Sequence, residues 1–342
     1  KETTHTLLAA GYPAEGFVFD TAIAAYLLAP TDASFDLPKL GMTYFNQEFV
    51  DAKVYTAPDA FAPLADQAEA LAALRSHTAL IYQLYGVLEP KIQDLGMDKL
   101  LYKLELPLCR VLAEMELAGV YVDRQALKDF GEMLAKRIDE TQAEIYALAG
   151  GAFNINSTKQ LGEVLFEKLN LPALKKTKRG YSTNAEVLEK LRPYHPIIDL
   201  ILEYRKYTKL KSTYVDGLEK EIAPDGRIHT VFQNTVTATG RLSSTEPNLQ
   251  NIPVRTPLGA EMRKMFLAPE GRVLVDADYS QIELRLLAHI ADDKAMQDGF
   301  RTGADIHAIT ASQVMGVPLD EVTKEMRSSA KAVNFGIVYG IS

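Results

Sequence analysis

The sequence predicts a multidomain chain of mixed α/β and α+β class. Two short apolar runs read as strands, and each stands just before a helical stretch. They are Gly16-Phe17-Val18-Phe19-Asp20 before Thr21 to Leu28, and Val273-Leu274-Val275 before Gln281 to Ile290. Long amphipathic helical stretches fill the middle of the chain. At 342 residues there is room for two or three domains with real cores, and 47% hydrophobic with 24% charged residues is ordinary for a soluble protein.

Taken in order, the first strand and helix are followed by a Pro-containing loop region from Tyr55 to Pro63 and an Ala/Leu-rich helix from Leu64 to Leu88. A long amphipathic helix begins over Lys99 to Leu117. Gly119-Val120-Tyr121-Val122-Asp123 separates it from another helix, Arg124 through Leu148. Asn154-Ile155-Asn156-Ser157-Thr158-Lys159 then supplies an N-cap and a fresh helix start. Tyr204 to Lys211 is helical and basic. The stretch from Thr239 to Arg255 is rich in Thr, Gly, Ser, Asn and Pro, which argues irregular backbone. Beyond it, Ile282, Leu286 and Ile290 have the spacing of one apolar helix face. There are no repeats and no low-complexity tract.

The net charge of -8 is unevenly placed. Residues 1–98 hold 5 basic and 13 acidic side chains, so the remainder is neutral. Within that remainder, residues 159–211 carry 12 basic and 6 acidic side chains, including Lys175-Lys176-Thr177-Lys178-Arg179 and Arg205, Lys206, Lys209 and Lys211. Such a stretch is either a phosphate-tracking surface, whose binding would weaken with salt, or a solvated charged face. The single cysteine, Cys109, excludes an internal disulfide framework and suits a reducing compartment. No apolar run of spanning length and no signal-peptide pattern is present, so neither a membrane nor an export route is expected. Lys1 opens the chain without an initiator Met, consistent with truncation there.

Two clusters near the end carry chemistry. Asp278, in Asp278-Tyr279-Ser280-Gln281-Ile282-Glu283-Leu284-Arg285, sits at the expected strand exit, where a carboxylate can bind Mg²⁺ through oxygen; it can equally cap the following helix. Arg327, Lys331, Phe335 and Tyr339 recur every four residues and so share a helix face. A salt-bridged exposed helix would place acids at the same spacing, yet only Thr323 precedes Arg327. A core would not begin with two unpaired cations. The stripe fits a triphosphate held by the cations with a base stacked on the rings.

These segments resemble bacterial family A DNA polymerases. Asp278 to Arg285 is similar to the family's motif A, and Arg327-Ser-Ser-Ala-Lys331-Ala-Val-Asn-Phe335-Gly-Ile-Val-Tyr339-Gly340 to its motif B. Thr239-Gly240-Arg241-Leu242-Ser243-Ser244-Thr245-Glu246-Pro247-Asn248-Leu249-Gln250-Asn251-Ile252-Pro253-Val254-Arg255 is a third match, and the three stand in the family's order. The resemblance implies template-directed DNA synthesis in replication and repair. A deoxynucleotide passes from a dNTP to a primer 3′-OH with pyrophosphate release, between two Mg²⁺ ions about 3.5–4 Å apart. It implies that Asp278 and the carbonyl of Tyr279 bind metal, and that Asp278 and Lys331 are catalytic. Gln281, Glu283 (as steric gate against a ribose 2′-OH), His307, Arg327, Lys331, Phe335 and Tyr339 would meet the nucleotide, with Phe335 disfavouring nucleotides that lack a 3′-OH. Asn154, Ser157 and Lys159 stand where relatives touch the duplex backbone, and Arg205 and Lys209 lie on the basic stretch. Arg241 and Gln250 supply donors suited to minor-groove acceptors. The partners implied are primer-template DNA and dNTPs, met by a monomer in the bacterial cytoplasm at the nucleoid.

The same resemblance divides the chain. Residues 1–95 resemble a partial, degenerate RNase H-like 3′–5′ exonuclease domain, 96–227 a helical thumb, 228–288 a partial palm sheet and 289–342 the first fingers helices. An exonuclease centre needs four carboxylates. No D-x-E pair occurs in residues 1–98, Pro58 interrupts the Tyr55…Asp59 spacing, and Asp66 and Glu69 lack a companion tyrosine, so an inactive remnant is expected. The family's second catalytic carboxylate lies downstream of motif B, past Ser342, and Asp276 is not a position the family uses. No polymerisation by these residues alone is therefore expected, and a noncatalytic duplex-binding chain is the alternative; a nuclease using Asp66 and Glu69 ranks third.

Overall fold

The computed structural model describes residues 1–57, 59–62, 67–177, 180–254 and 256–340, with only the backbone described at 176, 177, 295 and 337–339. The chain forms two compact units, Lys1–Arg272 and Val273–Ser342, so the expected palm segment 228–288 crosses their boundary. Helices dominate both units. The described strands form three two-stranded antiparallel ribbons, Val120–Tyr121 with Arg227–Ile228, Lys176–Thr177 with Gly180–Tyr181, and Val231–Gln233 with Ser243–Thr245.

The first unit has three cores. In the Ala68–Asp94 helix, Leu80, Leu84, Leu88 and Ile92 fall four residues apart on one face, are all 0% exposed, and pack with Ile23, Leu40 and Leu101. Burying each such side chain contributes about 1.5–3 kcal/mol. The Arg124–Ala149 helix starts at Asp123, whose Oδ1 accepts from the Ala126 N–H at 2.9 Å, and ends at Gly150 in the left-handed region. It serves two cores in turn. Leu127, Phe130 and Leu134 pack with Leu218, Ile228 and Met262, whereas Ile145, one turn from its end, packs with Leu161, Leu188 and Ile201.

The expected helices over Thr21–Leu28, 99–117, 124–148 and 204–211 are all present, the second interrupted by a π turn at Leu101–Glu105 and the last passing into one at Leu210–Val215. The Asp20 carboxylate caps the first of them through the Ala22 and Ile23 N–H groups. The Ala/Leu-rich helix begins at Ala68; Leu64, Asp66, Pro58 and Pro63 lie outside the described residues, as do Lys178, Arg179 and Arg255.

Both expected strands are corrected. Residues 16–20 are irregular, with Phe17 and Val18 exposed. Residues 273–275 are likewise irregular, and Val275 is 84% exposed. A strand needs a neighbour to take up its N–H and C=O groups, and among the described residues neither run has one. The Ile282–Ile290 helix exists, but its expected face is reversed. Leu284 and Ala288 are buried, while Ile282, Leu286 and Ile290 are exposed.

Candidate nucleotide and nucleic-acid sites

In the second unit two helices, Ile306–Met315 and Lys324–Tyr339, pack together and gather most of the candidate nucleotide-binding residues. Asp305 starts the first. Its Oδ1 accepts from the His307 and Ala308 N–H groups at 3.0 and 3.2 Å, satisfying two donors that a helix start leaves open. Its other oxygen, Oδ2, accepts from Arg327 Nε at 2.5 Å. Arg327 is thus paired, contrary to the expectation of an unpaired cation, because its acid comes from the neighbouring helix and was invisible to four-residue spacing on its own. Lys331 is exposed, has no ion pair among the described residues, and its Nζ lies 5.8 Å from the centre of the Phe335 ring.

His307 is 1% exposed and feels the charges of Arg327 and Lys331 on the neighbouring helix. Its ring centre is 5.9 Å from that of Phe335, and its Nδ1 meets Asn334 Nδ2 at 3.0 Å. Burial pushes its pKa below the ordinary histidine value; Arg327 and Lys331 add to the effect and Asp305 opposes it. Asp305 itself is raised by burial, but the bonds from Arg327, Ala308 and His307 outweigh this and hold its carboxyl below the usual range. The Tyr339 side chain lies outside the described residues.

The motif A residues are placed less closely. Asp278 and Tyr279 are exposed on irregular backbone. Asp278 does not cap the following helix, because the cap position is Gln281, in the left-handed region at φ 54° with no side-chain cap bond. Glu283 stands half-buried in the first turn. Arg285, inside the motif but given no role from sequence, donates to Ser280 O at 2.9 Å and lies 4.5 Å over the Phe300 ring. Asn334 and Asp305 are the other participants that the sequence reading missed. Asp305 was legible as an Asp before a helix start; Asn334 carried no signal. Among the described residues no group of three or more His, Cys, Asp or Glu could hold a metal ion.

In the first unit, Ser157 Oγ accepts from the Gln160 N–H at 3.4 Å and Asn154 Oδ1 from the Asn156 N–H at 3.0 Å, which shapes one exposed turn. Lys159 projects from it, 4.0 Å from Glu163. Lys209 is exposed, whereas Arg205 is half-buried and gives Nη1 to the Thr183 carbonyl and Nη2 to its hydroxyl at 3.2 Å. Burial lowers the Arg205 pKa. The exposed Arg241 ends a tight loop in which its carbonyl accepts from Thr237 Oγ1 at 2.7 Å and Gly240 takes φ 77°. Gln250 Nε2 clasps the Leu242 carbonyl at 3.1 Å. In the N-terminal region Tyr55 sits on the four-residue helix Lys53–Thr56, with its hydroxyl 2.8 Å from His77 Nδ1, and Asp59 follows after that helix has ended.

A guanidinium, an ammonium and an imidazole beside an aromatic ring form the kind of surface that accommodates a phosphorylated base. Comparison with known proteins gives that class a family. Residues 124–342 match DNA polymerase family A. The chain is 48% identical over 335 residues to DNA polymerase I of Geobacillus stearothermophilus, covering 97% of this chain and 38% of that protein. It is 46% identical over 338 residues to DNA polymerase I of Bacillus subtilis, covering 97% and 38%. A solved structure, the POL domain of Pol1 from M. smegmatis in complex with DNA primer-template and dNTP, aligns with a TM-score of 0.84 at 39% identity, over 99% of this chain and 57% of that one. The chain belongs to the family A DNA polymerases, and it spans 38% of the length of the bacterial DNA polymerase I relatives above.

Proposed function

We propose that these residues serve template-directed DNA synthesis, contributing the dNTP-binding face and part of the duplex grip of a DNA polymerase I. The observation that carries this reading is the assembly of His307, Arg327, Lys331 and Phe335 on two packed helices, with Asp305 holding Arg327 in place. Arg327 and Lys331 neutralise the triphosphate, Lys331 aids pyrophosphate departure, Phe335 disfavours nucleotides that lack a 3′-OH, and Tyr339 stacks near the templating base. Glu283 excludes a 2′-OH, with Gln281 beside it. Such catalysis is mostly positioning and charge stabilisation, which is what these groups supply. Asp278 and the Tyr279 carbonyl act as metal ligands alongside a second carboxylate.

Residues 96–227 act as the thumb, with Asn154, Ser157, Lys159 and Lys209 on the duplex backbone, and Arg205 bracing the thumb through Thr183. Arg241 and Gln250 meet the minor groove. Residues 1–95 are an inactive RNase H-like remnant; the separation of Tyr55 from Asp59 by a helix end supports this. The protein works as a monomer on primer-template DNA in the bacterial cytoplasm, at the nucleoid. No helix among the described residues is long and apolar enough to cross a membrane.

Primer extension by the full-length protein tests the assignment. Asp278→Ala abolishes extension and leaves duplex binding largely intact; an active Asp278→Ala enzyme sinks the reading. The exposed cations Lys159 and Lys209 favour a second reading, duplex binding without turnover. Filter binding against rising salt tests it, and absence of affinity at low salt removes it.

A further inference from the structure

Asn334 lies on the face of the Lys324–Tyr339 helix turned to the Ile306–Met315 helix, and its amide nitrogen contacts two groups there, His307 Nδ1 at 3.0 Å and Thr310 Oγ1 at 3.2 Å. The hydrogens of this cluster can be assigned one by one. The Thr310 hydroxyl gives its single hydrogen to the Ile306 carbonyl, 2.9 Å away on the preceding turn. Its oxygen can then only accept from Asn334. An acceptor facing Asn334 requires the NH₂ end of the amide, since the carbonyl end would set two acceptors against each other. The same NH₂ faces His307 Nδ1, so Nδ1 accepts. A neutral imidazole carries one proton, and with Nδ1 accepting, that proton is on Nε2.

We propose that Asn334 is a positioning residue that fixes His307 as the neutral, Nε2-protonated tautomer, so that Nε2–H is the donor offered to the triphosphate of the incoming nucleotide. The donor role rests on the polymerase reading above; the tautomer does not. The charged groups facing His307 are Asp305 on its own helix and Arg327 and Lys331 on the neighbouring one. Two cations against one acid, together with burial, keep the ring neutral, so the choice of tautomer rather than protonation decides which nitrogen donates. Arg327 and Lys331 supply charge, whereas His307 adds a directed, uncharged donor whose orientation survives without a counter-ion. A second effect follows from the same lock. The amide that sets the tautomer also ties the helix bearing Lys331 and Phe335 to the helix bearing His307, so the two halves of the site share one hydrogen-bonded joint.

Histidine-selective ¹⁵N correlation spectra of the 342-residue chain test this, with His307→Gln assigning the signal. At pH 7 the His307 pattern is expected to be that of an Nε2–H tautomer. In Asn334→Asp the carboxylate can only accept, so the proton moves to Nδ1 or the ring becomes an imidazolium. Thr310→Val, which keeps the shape and deletes the acceptor that orients the amide, gives a mixture of tautomers. An Nδ1–H pattern in the unsubstituted chain, or an unchanged Nε2–H pattern in both variants, overturns the assignment. Addition of dATP tests the donor role separately. A shift of the Nε2 resonance in the unsubstituted chain that is lost in Asn334→Asp supports it. Absence of any shift, with the tautomers as assigned, overturns the phosphate contact and leaves the tautomer lock standing.

Discussion

Asp305 holds two helices at once: one carboxylate oxygen caps the helix that begins at Ile306, and the other accepts from Arg327 Nε at 2.5 Å on the next helix. Its folded pKa is depressed, so the pair's contribution is fully present above the ordinary aspartate value of about 3.9 and is lost as pH falls through the lower folded value. The pKa of His307 is also depressed, by burial first, so its neutral form is favoured and stability declines as pH drops below about 6.5 toward that folded value. Both groups therefore act in the same direction in separate windows. Urea unfolding across pH should show two acid-side losses, the upper one reduced in His307→Gln and the lower one reduced in Asp305→Asn, with the rest of the lower loss coming from other depressed carboxylates such as Asp225 and Asp292. Both side chains of the pair are about two-fifths exposed, so solvent screens the ion pair and the cap, worth about 1 kcal/mol, is the larger part of Asp305's share of the lower loss.

The core of the N-terminal region makes a second prediction. Leu84 is fully buried in the row Leu80, Leu84, Leu88, Ile92, and Tyr82 on the same helix is 80% exposed. Leu84→Ala should cost about 2–5 kcal/mol, and Tyr82→Ala should stay within about 0.5 kcal/mol. Unfolding midpoints in urea measure both. Equal effects would mean that this helix does not bury the face described.

How much of this was legible in the sequence depends on where the partners of each residue lie. Helices fixed by local signals were readable, as at Thr21–Leu28, where Asp20 caps the chain it directly precedes. The 273–275 run was misread because β-branched residues state a preference and a strand needs a neighbour. The Ile282–Ile290 helix offers two apolar faces, Ile282/Leu286/Ile290 and Leu284/Leu287/Ala288, and periodicity alone cannot say which one its own unit covers. The cation–aromatic stripe was readable because its members share one helix. Asp305 and Asn334 acquire their roles across helices, and spacing carries no record of that.

Arg205 and Lys209, four residues apart on one helix, should separate by experiment. Arg205 donates to both oxygens of Thr183, a forked geometry that lysine cannot reproduce, while Lys209 is exposed. Lys209→Ala should reduce the salt slope of duplex binding by about one unit without changing stability. Arg205→Lys should instead lower the unfolding midpoint and leave the slope alone. Filter binding at several salt concentrations, with parallel urea curves, reads both quantities. A reduced slope in Arg205→Lys at unchanged stability would return Arg205 to the DNA surface.

The Tyr26 hydroxyl donates to the Thr237 carbonyl at 2.7 Å, and the Thr237 hydroxyl donates in turn to the Arg241 carbonyl at the same distance. A buried side chain of the N-terminal region thereby braces the loop that presents Arg241. Tyr26→Phe removes one hydrogen bond, about 0.5–1.5 kcal/mol, and leaves a carbonyl without that donor. If the brace matters through Arg241, Tyr26→Phe should weaken primer-template binding about 2- to 10-fold, and the effect should disappear in the Arg241→Ala background, since coupled residues are not additive. Fluorescence anisotropy with a labelled primer-template measures all four proteins of the cycle. Additive losses would show that the N-terminal region holds this loop for stability alone and has no part in how Arg241 meets DNA.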